Sequence, residues 1–94
     1  MLDVVFTNKF KKELKRAQKR GYKMAKINKV IEILADGKKL PKKYKDHRLT
    51  NYSEYDNVRE CHIEPDWLLI YHVEHHTLSL ILLRTGTHSD LFSK

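Results

Sequence analysis

Two stretches of this 94-residue chain hold side chains able to do proton and phosphate chemistry. In "CHIEPDWLLIY", residues 61–71, His62, Asp66 and Trp67 precede an apolar run; in "LLRTGTHSDLF", residues 82–92, Arg84, His88 and Phe92 follow one. An imidazole exchanges protons near neutral pH, and a guanidinium fork matches phosphate oxygens. Cleaving RNA by acid–base catalysis needs a base for the 2′-OH proton, an acid for the departing 5′ oxygen, and positive charge beside the pentacoordinate phosphate. Aromatic side chains can hold a flexible strand by stacking on its bases. The two stretches supply each part, although the same groups can also bind a phosphate and leave it intact. Each residue has a structural reading as well: His62 as a hydrogen-bonded strand residue, Asp66 as a turn former after Pro65, Trp67 as core, Phe92 as a tie for the tail. Arg84, a cation flanking a buried run, calls for an anionic partner, internal or external.

The elements that must position these residues follow from periodicity. "LDVVF" (residues 2–6) reads as a strand and ends at Thr7-Asn8, which are N-cap types. Phe10, Leu14 and Ala17 recur at helical spacing up to Gly21; Met24, Ile27, Ile31 and Leu34 form a second stripe up to Gly37. After a charged loop with Pro41, strands are expected at 57–64, 67–73 and 78–85, separated by "EPD" and "EHHT". The order β-α-α-β-β-β predicts one α+β domain over residues 1–94, a two-helix hairpin packed on an antiparallel sheet. Antiparallel pairing then gathers His62, Glu64, Asp66, Trp67, Arg84, Thr85 and the segment with His88 at one sheet end, and sends His72, His75 and His76 to the other. Those last three are read as solvated. Cys61 and His62 point to opposite faces of their strand, so no thiol–imidazole pair is expected, and a single cysteine excludes an internal disulfide framework.

Net charge is +7, and its distribution is lopsided. Residues 9–48 carry 16 of the 19 Lys and Arg against four acids, a local balance of +12. A cationic surface of that density favours polyanions through counterion release, and nucleic acid is the first such partner to consider. The longest apolar run is too short for a membrane span, and the N-terminus lacks a signal-peptide pattern; a cytoplasmic protein without a membrane partner is expected.

"YKDHRL", "RECHIEPDWLLIY" and "LLRTGTHSDLF" together resemble the YafQ branch of the RelE/ParE superfamily of bacterial type II toxins. The resemblance covers nearly the whole chain and implies a RelE-like microbial RNase fold. It further implies a ribosome-dependent endoribonuclease that cuts mRNA in the A site by acid–base catalysis without metal or cofactor. The implied partners are a cognate antitoxin, mRNA and ribosomal RNA, with operator DNA reached only through the antitoxin complex. Carried over residue by residue, it assigns His47, His62, Asp66, Arg84 and His88 to catalysis and Trp67 and Phe92 to placing the mRNA. Arg59 is either a phosphate contact or a partner for nearby acids. His47 rests on the resemblance alone. The link "TNYSEYDNV" departs from related sequences in its length, its missing Gly, and its Tyr52 and Tyr55. Two other functions fit the same fold: a non-catalytic, ParE-like binder of DNA gyrase, and a protein acting mainly as co-repressor with its antitoxin.

Overall fold

The computed structural model describes residues 1–50, 52 and 55–92. Its elements are β1 (Asp3–Phe6), α1 (Asn8–Lys19), α2 (Met24–Ala35), a single 3₁₀ turn (Lys42–Tyr44), β2 (His47–Leu49), β3 (Val58–Glu64), β4 (Trp67–Glu74), β5 (Ser79–Gly86) and α3 (His88–Phe92). The five strands form one sheet in the order β1-β5-β4-β3-β2.

Local chemistry sets the helix limits. Thr7 caps α1, its hydroxyl accepting from the Phe10 amide at 3.2 Å. Both long helices stop in a Schellman motif on a left-handed glycine. After α1 the Gly21 and Tyr22 amides donate to Gln18 and Ala17; after α2 the Gly37 and Lys38 amides donate to Leu34 and Ile33. The buried residues of α1 are Phe10, Glu13 and Ala17, those of α2 Ile27, Val30, Leu34 and Ala35. They pack with Cys61, Ile63, Trp67, Leu69, Tyr71, Leu80 and Leu82 from one face of the sheet. Val58, Ile70 and Leu83 form a smaller cluster on the other face, flanked by Leu49, Tyr52, Tyr55 and Leu91. That second face, free of the two long helices and touched only by α3 through Leu91, is where the chemistry lies.

The α+β class and the helical hairpin stand as expected, with two elements added and one pairing changed. β2 and α3 extend the expected order, and β1 runs parallel to β5, so the sheet is mixed rather than wholly antiparallel. A parallel neighbour needs a long crossover, which the two helices and the rest of the sheet provide. The three C-terminal strands are the expected antiparallel meander, with irregular register between His62 and Glu64 and between Ile70 and Tyr71. Both irregularities lie towards the chemical end of the sheet, where bulges commonly re-aim side chains.

Candidate functional site

Glu60 and His62 are alternate residues of β3 and therefore share a face. β2 pairs with this strand in a register that sets His47 opposite Glu60, and across the sheet Glu60, Ile70 and Arg84 fall in one row and His62, Leu68 and Gly86 in the next. The tight Pro65-Asp66 turn then brings the Asp66 carboxylate to the start of α3. Three imidazoles result in a row: His47 and His62 have ring centroids 6.2 Å apart, His62 and His88 5.6 Å apart.

Each ring is fixed through Nδ1. The Nδ1 of His47 lies 2.8 Å from the Lys45 carbonyl, that of His62 3.2 Å from the Pro65 carbonyl, and that of His88 2.7 Å from Asp66 Oδ1. Carbonyls and ionised carboxylates only accept, so Nδ1 must carry the proton in all three, leaving Nε2 to do chemistry. Asp66 also accepts from the His88 amide at 2.9 Å, and these two bonds hold its carboxyl below the usual carboxylate range.

The centre of the group is Glu60. Its side chain is 6% exposed; Oε1 lies 3.3 Å from Nε2 of His47 and 3.8 Å from Nε2 of His62, while Oε2 is buried with no hydrogen-bond partner among the described residues. An unpartnered buried carboxylate oxygen is costly, which points to a proton, substrate or ion that completes it. Ligand atoms of His47, Glu60 and His62, one from each, lie within 4.8 Å of one another. Two imidazoles and a carboxylate form a donor set suited to a borderline divalent cation. Glu60 is not among the residues the sequence nominates; the E-x-H spacing on a strand is the signal that points to it.

Arg84 finds its anionic partner inside the protein. Its Nε and Nη2 donate to the Glu13 carboxylate at 2.6–3.1 Å, and Glu13 also accepts from the Thr85 amide at 3.2 Å. Helix α1 thereby orients the guanidinium. Phe92 is 47% exposed and lies 6.5 Å from His88 between ring centroids, so it presents a face to solvent beside the site.

Two expected substrate contacts are corrected. Trp67 is 1% exposed, packs on Tyr22, and donates from Nε1 to the Thr85 hydroxyl; a ring with no free face cannot stack a base and belongs to the core. Arg59 takes the second of its two readings. It grips Asp46 through Nε and Nη2 at 3.0–3.3 Å, and the Tyr71 hydroxyl donates to the same carboxylate. Burial, and then Asp46, push the Tyr71 phenol well above its ordinary range, so it stays a donor. This triad anchors the residue preceding His47 and supplies the placement that the loop sequence alone did not reveal. Burial likewise drives the Cys61 thiol far above its usual range, removing it from the chemistry. His72 departs from its solvated reading: it is buried, stacked on Tyr55, with Nδ1 facing the Asn57 carbonyl. His75 and His76 are exposed.

A family profile described as "Bacterial toxin of type II toxin-antitoxin system, YafQ" matches residues 2–93. The chain belongs to the YafQ family. Among curated YafQ proteins, one from Escherichia coli strain B, named mRNA interferase toxin YafQ, is 40% identical over 91 residues, spanning 96% of this chain and 95% of its own. Its namesake from strain K12 is 37% identical over the same length. Of solved structures, a metal-bound toxin from Helicobacter pylori superposes with a TM-score of 0.90 at 40% identity, covering 98% of this chain and 100% of its own. YafQ in the E. coli DinJ-YafQ complex gives 0.88 at 39% identity, covering 98% and 99%. No helix among the described residues is long and apolar enough to cross a membrane.

Proposed function

We propose that this YafQ-family chain is the toxin of a type II toxin–antitoxin pair and an endoribonuclease that cuts mRNA on the ribosome in the cytoplasm. The observation that carries the reading is the buried Glu60 carboxylate, faced by Nε2 of His47 and of His62, with His88 next in the row. Glu60, ionised and flanked by the Nε2 atoms of His47 and His62, takes the proton of the 2′-OH. The 2′ oxygen attacks phosphorus while His88, as an imidazolium oriented through Nδ1 by Asp66, gives its Nε2 proton to the leaving 5′ oxygen and is left neutral with its proton on Nδ1. The products are a 2′,3′-cyclic phosphate and a new 5′-hydroxyl end. Arg84, oriented by Glu13, faces the phosphate charge, and Phe92 offers a stacking surface. The cationic helical half holds ribosomal RNA, and a DinJ-like antitoxin neutralises the chain and carries it to operator DNA. A gyrase-directed binder has no need of such a cluster.

The test is to map mRNA ends on translating ribosomes after induction. New 5′-hydroxyl ends are expected, and Glu60→Gln or His88→Ala should each lower their yield by roughly 10²–10⁴-fold in a folded protein. New ends bearing a 5′-phosphate, or undiminished cutting by both variants, would sink the mechanism. No new ends together with blocked gyrase would establish the ParE-like alternative instead.

A further inference from the structure

Beside His62 a cavity of about 420 Å³ runs between α2, the 3₁₀ turn and the end of β3. Its volume lies within the roughly 300–1,000 Å³ usual for ligand sites. Four lysines, Lys26, Lys29, Lys43 and Lys45, line it against one acid, Glu64. Lys26 and Glu64 pair with each other. Lys29, Lys43 and Lys45 have no carboxylate partner among the described residues, and all three are exposed. We propose that this cleft is the path of the RNA strand flanking the scissile nucleotide, with Lys29, Lys43 and Lys45 gripping its phosphates. The inference rests on the nuclease reading above and adds the substrate channel to it.

Three observations favour single-stranded RNA as the occupant. The cleft is continuous with the site, since His62 is part of its wall and Lys45, whose carbonyl orients His47, is another part. A strand whose scissile phosphate lies at His62 must have its neighbouring phosphates somewhere within a nucleotide's reach, and this is the adjoining cationic hollow. The floor is also wrong for a docking peptide. Its apolar members, Tyr44 and Ile63, are each 8% exposed, so what faces solvent is lysine, Glu64, Pro65 and part of His62, with no exposed large apolar side chain to anchor a helix or strand. Finally, positive charge without a carboxylate partner reaches the hollow from two sides, Lys29 from α2 and Lys43 and Lys45 from the 3₁₀ turn and its C-cap, which suits a flexible polyanion.

The experiment uses a short single-stranded RNA with every 2′ position O-methylated. That probe lacks the attacking hydroxyl, so binding is read whether or not the proposed chemistry holds. Binding to the full chain is measured by fluorescence anisotropy across a salt series and compared with Lys29→Gln/Lys43→Gln/Lys45→Asn. Asparagine is chosen at Lys45 because that residue has a φ of +50°, a conformation asparagine tolerates. The slope of log K against log salt should shrink by about 2, three phosphates at ~0.7 each, and Lys29→Arg/Lys43→Arg should bind as wild type does. On programmed ribosomes Lys29→Gln/Lys43→Gln, which leaves Lys45 in place, should raise the apparent KM while keeping kcat within about twofold. Unchanged affinity and slope would overturn the proposal, as would absence of salt-dependent binding by the wild-type chain. Loss of antitoxin binding with RNA binding intact would overturn it too, assigning the cleft to the partner protein. Binding to vacant ribosomes lost in place of probe binding would give it to ribosomal RNA. Lysine-dependent probe binding without any new mRNA ends would keep the cleft and sink the nuclease reading.

Discussion

At the scale of the residue, the site is organised by which nitrogen each imidazole has already committed. Because Lys45 and Pro65 carbonyls and the Asp66 carboxylate occupy Nδ1, the reactive nitrogens are the three Nε2 atoms, and two of them face one carboxylate. In the proposed mechanism Asp66 acts through His88, as an orienting group rather than a proton carrier. Asp66→Asn should test this, since the amide keeps the size and one acceptor oxygen but is never ionised and can turn its NH₂ toward Nδ1. With Asp66 65% exposed on its side chain, the fold should be unaffected, whereas kcat should fall roughly 10–100-fold, the cost typical of losing a histidine-orienting partner. The pH profile should change shape as well. An unaltered kcat and profile would show that Asp66 does not set the tautomer. The residue types of the site were legible in the sequence, because histidine, arginine and aspartate are conspicuous around turns. Their couplings were not. Glu60 is one of several charged or titratable side chains in "VRECHIE", with nothing to mark it as the buried acid, and nothing in a sequence says that Arg84 will spend its fork on Glu13, 71 residues earlier.

At the scale of elements, α3 is the device that brings His88 into place. Thr87 and Asp90 form a capping box: the Thr87 hydroxyl accepts from the Asp90 amide at 3.1 Å, and Asp90 accepts from the Thr87 amide at 3.0 Å. Gly86 makes that possible, since a Cβ there would sit 2.9 Å from the Asp90 Cβ. Gly86→Ala is therefore expected to push Asp90 aside, open the cap at a cost of about 1 kcal/mol, and displace His88. The measured signature would be a small drop in Tm with a much larger loss of cleavage, reproduced by Asp90→Ala, which opens the cap without a clash. Equal, mild losses in both quantities would argue that α3 does not position His88. The sequence signal for this helix is the T-x-x-D of "THSD", which is too short to show a helical period. The hairpins, in contrast, were legible, because a two-residue turn forces its flanking strands together and so forces His62 toward the β5 exit. β2 was not, since three residues are too few to show a period; only pairing with β3 and the Asp46–Arg59–Tyr71 triad define it. The parallel edge was not legible either, as it depends on contacts some 76 residues apart.

At the scale of the molecule, the cationic first half and the acidic remainder are stitched together by ion pairs that cross between them: Arg84 with Glu13, Lys26 with Glu64, Arg59 with Asp46, and Arg20 with Asp90. The last of these ties the end of α1 to the final helix, and it matters for acid behaviour. The Arg20 guanidinium, followed by the Thr87 amide, holds the Asp90 carboxyl well below its ordinary value, and the His88 amide and ring lower that of Asp66. A carboxylate whose folded value is depressed stabilises the fold fully above its unfolded value, about 4 for aspartate, and loses that contribution as pH falls through the folded one. Both carboxylates hold the same short helix. Lowering the pH below about 4 should therefore release α3 and His88 before the core opens, because Trp67, Leu69 and Tyr71 are buried under the other helices and feel neither carboxylate directly. Amide signals of residues 88–91 followed by NMR should titrate at higher pH than the near-UV signature of Trp67. A single transition shared by α3 and the core would mean that the last helix is fastened by packing of Leu91 on Val58, Ile70 and Leu83 and not by charge.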